Sequence, residues 1–459
     1  MPLVASSLEP YLQDASGYHG EAVEAYLPAD LNELRDIIAK TASAHTPLTV
    51  AGAGTGLTGA RVPHGGCVVS LERFRELEIS HGRARCGAGV SLTDLHEAAA
   101  RTRQFFGPNP TESSASIGGI VGTNAGGARS FKYGSVRRHV LAATVTFMDG
   151  RTRRFERGEK VDFGYTPVRL PLTTKNSAGY YLQPDLEWVD LLAGSEGTLG
   201  FITEVELTLL PQPPAILAGV VFFAFDEAAL DAVDAWRSIP ELRLLEFMDG
   251  AALAMLRPHY AEIPSAAGAA LLIEQNLASE EDPEVDTWAQ RLEKQRAFDT
   301  SWFGFTPTDQ VRFRDFRHTL PAMVTDRARR SGFSKFGTDF AVPLPRHREL
   351  HAYYQRRCAE VLPGRFTIFG HVGDANNHVN LLPETREQAD RGECLINEFA
   401  EVVVSMGGTV AAEHGIGKTK TDLLGLMYSP GETGAMRAVK QHLDVQWLLG
   451  QGTLFDITA

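Results

Sequence analysis

The sequence has little cysteine, with only four among its 459 residues. Cys67, Cys86, Cys358 and Cys394 stand far apart, and none belongs to a Cys-x-x-Cys pair. This spacing excludes an all-cysteine zinc site and a cysteine-ligated iron–sulfur cluster built from this chain. We therefore expect isolated buried thiols in a reducing compartment.

The sequence also lacks long apolar runs and an excess of basic residues. No run approaches the roughly 18 apolar residues of a membrane helix, so no integral membrane segment is expected. The first basic residue is Arg35, which argues against a secretory signal and favours a cytoplasmic protein. With 44 basic against 57 acidic residues, the formal net charge is -13, which excludes nucleic acid as a main partner.

Glycine, by contrast, is abundant: 44 residues, concentrated in the blocks 52–66, 118–134 and 194–200. β-like runs surround these blocks, and the last run ends at Pro211-Gln-Pro-Pro214, which predicts a domain boundary. After it, Leu217–Phe225 is typical of a strand and Asp226–Ile239 of a helix. The fold class predicted from these patterns is α+β.

Two glycine motifs are misleading. Gly54-Thr-Gly56-Leu-Thr-Gly59 matches G-x-G-x-x-G, but a Rossmann fold needs a helix to begin there, and Pro63 follows almost at once. Gly417-Lys-Thr resembles a phosphate-binding loop, yet Ala412 stands where that motif needs glycine. What remains is strand, glycine-rich turn, strand, which can form an anion nest; a tight surface loop is the alternative.

Histidines and a carboxylate are concentrated in the second half. His371 ends one β-like run and His378 begins the next, and Glu413-His414 follows a third run at residues 409–412. Two imidazoles and one carboxylate are typical of a catalytic metal site with open positions, and they suit zinc or manganese. Unrelated residues on a hairpin and a turn are the alternative reading.

The motifs, taken in order, resemble a known family. AGAGTGLTG, PNPT followed by IGGIVGTNAGG and KYGS, and GSEGTLGFITE are similar to the flavin domain of the vanillyl-alcohol oxidase and p-cresol methylhydroxylase superfamily. GHVGDANNH and EHGIG narrow the resemblance to its D-2-hydroxy acid dehydrogenase branch. That branch includes D-lactate dehydrogenase, the glycolate oxidase flavin subunit and D-2-hydroxyglutarate dehydrogenase. The resemblance implies a flavin domain of residues 1–214 and 411–459, with an α+β cap domain, residues 215–410, closing over it.

The resemblance also implies FAD, with the pyrophosphate on the first glycine turn. His64 and Cys67 lie near this turn, but no motif makes either an attachment site, so we predict dissociable FAD. The predicted cofactor-binding residues are Gly52, Ala53, Gly54, Thr55, Gly56, Leu57, Thr58, Gly59, Pro110, Thr111, Gly118, Gly119, Asn124, Gly126, Glu196, Gly197 and Ile202.

The same resemblance implies a divalent metal, zinc or manganese, held by His371, His378 and Glu413, with His414 as the catalytic base. Arg317 resembles the family's substrate arginine; a solvated helix arginine is the alternative. Gly337 stands where the family often has lysine, with Lys335 two residues earlier, and this weakens a dicarboxylate assignment.

The expected reaction is oxidation of a small-molecule 2-hydroxy acid to the 2-oxo acid. With no clustered cysteines, a separate electron-transfer protein or a quinone must accept the electrons. The alternatives are an oxidase that reduces oxygen and a flavin-binding electron-transfer subunit without substrate chemistry. The oligomeric state stays open, with a homodimer as one option.

Overall fold

The structure is a computed structural model and describes residues 3–456. Within these residues, the strands form a four-stranded, a five-stranded, a two-stranded and a seven-stranded sheet. In the same part of the chain, every helix is too short or too polar to cross a lipid bilayer. The outermost residues of the two predicted flavin-domain segments, 1–2 and 457–459, lie outside the described residues.

The four-stranded sheet carries the first glycine block, and its strand order is β1-β2-β4-β3. Its strands are β1 (Leu3–Val4), β2 (Glu24–Leu27), β3 (Leu48–Ala51) and β4 (Cys67–Ser70). Helix α1 (Leu31–Ser43) joins β2 to β3 and begins after Asp30, whose side chain accepts two backbone N–H groups. β3 and β4 are parallel neighbours, and residues 52–66 connect them without a helix. The predicted strand, glycine turn and strand are confirmed.

The five-stranded sheet is antiparallel, with strand order β5-β6-β10-β8-β9. Its strands are β5 (Leu77–Ser80), β6 (Arg83–Gly87), β8 (Val140–Thr146), β9 (Thr152–Glu156) and β10 (Phe201–Thr208). β7 (Gln104–Phe105) and β11 (Leu210–Pro211) pair as the two-stranded sheet. The accompanying helices are α2 (Leu92–Ala100), α3 (Ile117–Gly122), α4 (Ser130–Tyr133) and α5 (Trp188–Leu192).

The seven-stranded sheet is built after the proline-rich segment, with strand order β15-β12-β14-β13-β17-β18-β16. Its strands are β12 (Ala215–Phe223), β13 (Leu242–Asp249), β14 (Ala269–Leu277), β15 (Trp302–Gly304), β16 (Phe336–Gly337), β17 (Phe366–His371) and β18 (Asn376–Leu381). All of its recorded pairs are antiparallel.

Helices cover both faces of this sheet. Side chains of α7 (Gly250–Leu256) and α9 (Pro307–Ser331) share a core with Leu244 and Met248 of β13. The opposite face packs on α6 (Asp226–Trp236), α10 (His347–Val361) and α11 (Arg386–Ser405). Helix α8 (Glu284–Lys294) lies between β14 and β15 in the chain. Because Met248 pairs with Phe369, and Phe369 with His378, His378 lies on the α7 and α9 face.

The chain then returns to the first sheet. Helices α12 (Thr421–Met427) and α13 (Pro430–Leu443) complete the described elements, and residues near the C-terminus contact β3. The backbone N–H of Leu48 donates to the carbonyl of Leu448 (2.7 Å), and the backbone N–H of Gly450 donates to the carbonyl of Leu48 (2.8 Å). Helical and strand-rich units are therefore mixed throughout, and the predicted α+β class is confirmed.

Candidate active site

A cavity of about 410 Å³ opens where β3, α3 and β10 meet. Its size falls within the range of small-molecule and cofactor sites. Part of the predicted cofactor set lines it: Gly52, Ala53, Gly118, Gly119, Glu196, Gly197 and Ile202. Burial raises the pKa of Glu196 to about 7, and its carboxylate accepts the backbone N–H groups of Ile416 (2.9 Å) and Gly417 (2.8 Å).

The glycines of this wall are required by close packing. A Cβ on Gly52 would lie 2.7 Å from the Ser116 hydroxyl oxygen, and one on Gly118 would lie 2.7 Å from the Ala88 Cβ. Gly197 has φ +72°, a conformation that side chains disfavour. The wall is therefore bare backbone, which lets a flat, extended ligand approach closely.

The predicted pyrophosphate turn adjoins the cavity, since Ala53 and Ala60 at its two ends both line it. The residues between, Gly54, Thr55, Gly56, Leu57, Thr58 and Gly59, do not line the cavity themselves. The N–H groups of residues 54–58 donate to no described protein group, whereas Gly59 N–H donates to the Asp14 carboxylate (3.0 Å). The free amides fit an anion, so the turn stays our predicted diphosphate site.

Sequence reasoning missed a second wall of the cavity, formed by Pro10, Tyr11, Arg61 and Arg75. The Arg61 guanidinium donates to the carbonyls of Gly52 (2.8 Å) and Pro10 (2.5 Å), tying the N-terminal segment to the glycine turn. No motif marks these residues, because Arg61 lies beyond the glycine pattern and Tyr11 far before it.

The remaining predicted cofactor residues lie elsewhere. Asn124 is buried; its amide donates to the Asn176 carbonyl (3.3 Å) and accepts from Arg137 N–H (3.0 Å), so it supports a loop. Gly126 lies against Glu413 of the histidine and carboxylate cluster described next, and Thr111 accepts a hydrogen bond from Arg317 beside that cluster. Pro110 lies against Gly127. Neither His64 nor Cys67 lines the cavity.

The structure brings the three predicted metal ligands together. Glu413 Oε1 lies 2.9 Å from His371 Nε2 and 3.6 Å from His378 Nε2. One potential ligand atom from each of the three residues falls within 4.8 Å of the others. The short turn at residues 372–375 makes this possible, because it lets β18 return beside β17.

Partners on the far side of each ring aim the two Nε2 atoms at the centre. Glu246 hydrogen-bonds His371 Nδ1, and His378 Nδ1 donates to the Thr338 carbonyl (2.8 Å). Neither Asp374 nor Asn380, the polar residues nearest these histidines in sequence, supplies these bonds. Fixed tautomers and an acidic third ligand fit a divalent cation such as zinc or manganese.

Opposite charges on neighbouring side chains stabilise this cluster. Burial lowers the pKa of His371, but the carboxylates of Glu246 and Glu413 outweigh it and raise the pKa to about 9. Burial disfavours the Glu413 carboxylate, yet His371 and Lys175 hold its pKa well below the usual range. Lys175, which no motif marked, donates to Glu413 Oε2 (3.1 Å) and lies 3.4 Å from Asp374 Oδ2.

His414 lies against the same centre. Its ring stacks on His378, with centroids 5.6 Å apart, and its Nε2 lies 3.7 Å from Glu413 Oε1. The side chain keeps 28% exposure, but the protein packed around it lowers its pKa to about 4. The imidazole is therefore neutral near pH 7 and can accept a proton.

The predicted strand at residues 409–412 is wrong, since only an isolated bridge joins Thr409 to Ala341. Strand alternation would send adjacent side chains to opposite sides. Here Asp339 instead accepts the backbone N–H groups of Glu413 (3.2 Å) and His414 (2.8 Å). This turn directs both side chains to one centre.

Arg317 lies beside this cluster, on the inner side of α9. Its Nε donates to Glu246 Oε2 (2.7 Å) and its Nη1 to the Thr111 hydroxyl (3.2 Å). The side chain is 13% exposed, so it is not the solvated helix arginine considered as the alternative. Thr111 comes from the first half of the chain, and this bond joins that half to helix α9.

Comparison with known families places the chain in a class. Residues 25–156 match the family described as FAD binding domain, and residues 212–454 match FAD linked oxidases, C-terminal domain. The second match spans more than half of the chain. The chain therefore belongs to the FAD-linked oxidases. The predicted superfamily resemblance and FAD are confirmed.

The chain is similar to three relatives of stated activity. It is 31% identical to D-lactate dehydrogenase of Archaeoglobus fulgidus, covering 93% of this chain and 89% of that one. It is 28% identical to glycolate oxidase subunit GlcD of Bacillus subtilis (97% and 92% covered). It is also 28% identical to D-2-hydroxyglutarate dehydrogenase of Xanthomonas citri pv. viticola (94% and 88%).

Among solved structures, alkyldihydroxyacetonephosphate synthase has a similar fold. The TM-score is 0.65 over 93% of this chain and 75% of that one, at 15% sequence identity. At this identity the likeness concerns the fold alone.

Proposed function

We propose that this protein oxidises a D-2-hydroxy acid to the 2-oxo acid, with FAD as the electron acceptor and a divalent cation assisting. One observation carries the proposal: two imidazole Nε2 atoms and a carboxylate surround one centre, beside a neutral His414. The named activities of the three relatives support the same substrate class.

Each residue of the site has its own role in the proposed reaction. His371, His378 and Glu413 would hold the cation, which would polarise the substrate hydroxyl and lower its pKa. His414 Nε2 accepts the hydroxyl proton as the C2–H bond breaks. The Arg317 guanidinium, held by Glu246 and Thr111, faces the substrate carboxylate. FAD, when bound, would supply the hydride acceptor that turns C2 into a carbonyl carbon.

In this proposal the site lies between the flavin domain, residues 1–214 and 411–459, and the cap, residues 215–410. Contacts across that division support it. His371 Nε2 of the cap lies 2.9 Å from Glu413 Oε1, and Arg317 of the cap donates to the Thr111 hydroxyl. A cytoplasmic location and a separate electron-transfer protein or quinone as final acceptor belong to the same proposal.

Anaerobic flavin bleaching tests the function. The purified flavoprotein is mixed with matched D- and L-2-hydroxy acids, and visible flavin absorbance is followed. We expect a D-acid to bleach the flavin and its L-enantiomer to leave it oxidised. Failure of every acid would contradict the proposal and favour the electron-transfer subunit. Prior chelation should slow bleaching, and added Mn²⁺ or Zn²⁺ should restore it. A rate unchanged by chelation would contradict the metal part alone.

Acid precipitation tests how FAD is held. Because neither His64 nor Cys67 lines the cavity, we expect the flavin to dissociate when the protein is denatured. After acid treatment and centrifugation, the yellow colour should appear in the supernatant. Colour retained in a washed pellet would show a covalent bond and contradict this prediction.

A further inference from the structure

Lys335 carries an ammonium group that the proposed reaction leaves unused. Its Nζ donates to the side-chain oxygen of Asn380 (3.0 Å). Among the described residues, no carboxylate forms an ion pair with it, and burial alone lowers its pKa. The residue is nevertheless exposed to solvent. The Lys335 ammonium can therefore be reached by a ligand from solvent.

The Lys335 ammonium lies on the same sheet face as the histidine cluster, because it is bonded to Asn380 of β18. Asn380 follows His378 by two residues on β18, so both side chains point to one face, about 7 Å apart along the strand. β16 pairs with β18, placing Gly337 opposite Asn380. A Cβ on Gly337 would lie 3.6 Å from Lys335 Nζ and 3.8 Å from Asn380 Oδ1. The ammonium thus lies in space that a side chain at residue 337 would occupy.

We infer that Lys335 binds a second anionic group of the substrate, so that the preferred substrate is a 2-hydroxy dicarboxylate rather than a short monocarboxylate. The inference rests on the proposed function, whose chemistry places C1 and C2 of the substrate at the His371, His378 and Glu413 centre. A lysine ammonium has three donors, and a single amide oxygen leaves two free.

Other cations near the centre are already committed. Arg317 is paired with Glu246, Lys175 with Glu413 and Asp374, and Lys420 with Asp339 (3.9 Å). A carboxylate at the far end of a longer substrate would therefore meet Lys335. The sequence suggested that Gly337, in place of a lysine, weakens a dicarboxylate assignment. In this inference the ammonium of Lys335 takes the place of that missing lysine.

Substrate selectivity tests the inference on the intact flavoprotein. Anaerobic flavin reduction is measured with D-lactate, D-malate and D-2-hydroxyglutarate. We expect a higher kcat/KM for one of the two dicarboxylates than for D-lactate. Lys335→Met should lower the dicarboxylate-to-lactate ratio of kcat/KM by about 10- to 100-fold, as for loss of a charge-assisted hydrogen bond. Lys294→Met, an exposed lysine of the same domain, should leave the ratio unchanged.

Asn380→Asp gives an independent check, because it places a competing carboxylate against the same ammonium and should also lower the ratio. Glutarate should perturb the flavin spectrum of the unmodified protein at lower concentration than butyrate does, which requires no variant. A preference for D-lactate with a ratio unmoved by Lys335→Met, or equal losses for all three acids, would overturn the inference. If none of the acids bleaches the flavin, the proposed function itself fails.

Discussion

Replacing His414 by alanine should slow anaerobic flavin reduction by about 100- to 10,000-fold, the usual contribution of a general base. The imidazole is neutral near pH 7 because burial lowers its pKa to about 4, and its Nε2 lies 3.7 Å from Glu413 Oε1. The backbone turn should survive, because Asp339 accepts the backbone N–H of residue 414 (2.8 Å) in addition to lying 3.6 Å from the ring Nδ1. Stopped-flow absorbance measures the rate.

The control for this variant is His259→Ala, which removes an exposed imidazole outside the histidine and carboxylate cluster. It should reduce flavin at the unmodified rate. FAD content, measured as the ratio of visible to protein absorbance, should be equal in both variants. A His414→Ala rate within threefold of the unmodified protein would show that another group takes the hydroxyl proton.

Much of the fold follows from local sequence patterns. Asp30 and Ser91 are cap residues placed before apolar periodicity, and α1 and α2 begin directly after them. The long helix α9 was not predicted, although its buried residues Phe313, Phe316, Leu320, Val324 and Ala328 follow helical spacing. Many charged residues and an internal proline obscure this helical spacing in the sequence. Packing of the helix on the sheet outweighs their unfavourable effect on helix formation.

The candidate site, like the fold, could be predicted from the sequence only in part. His371 and His378 could be paired from sequence because a turn-forming stretch separates two β-like runs. The hydrogen-bond partners of these histidines could not be predicted, because the contact of His371 with Glu246 depends on which strand becomes the neighbour of β17. One signal was available: Glu246 is one of two carboxylates, with Asp249, in the wholly buried strand β13, and a buried charge needs a partner.

Lys175 carries no sequence motif, so the sequence alone did not reveal it. Replacing Lys175 by methionine should strongly lower the free energy of unfolding. The variant leaves Glu413 Oε2 and Asp374 buried without the ammonium that lies between them. Removing one partner of a buried ion pair costs about 3–5 kcal/mol. The apparent melting temperature of the metal-free protein should therefore fall by several degrees. Lys160→Met, which breaks an exposed pair with Glu187, should change it little.

The response of this variant to metal separates its electrostatic role from simple packing. A divalent cation at His371, His378 and Glu413 would bring back the positive charge that Lys175→Met removes. Mn²⁺ should therefore raise the melting temperature of the variant more than that of the unmodified protein, with differential scanning fluorimetry as the measurement. Equal increments would mean that Lys175 acts through packing alone. No increment in either protein would show that the three residues do not hold a cation, and that the Lys175 and His371 charges balance Glu413 by themselves.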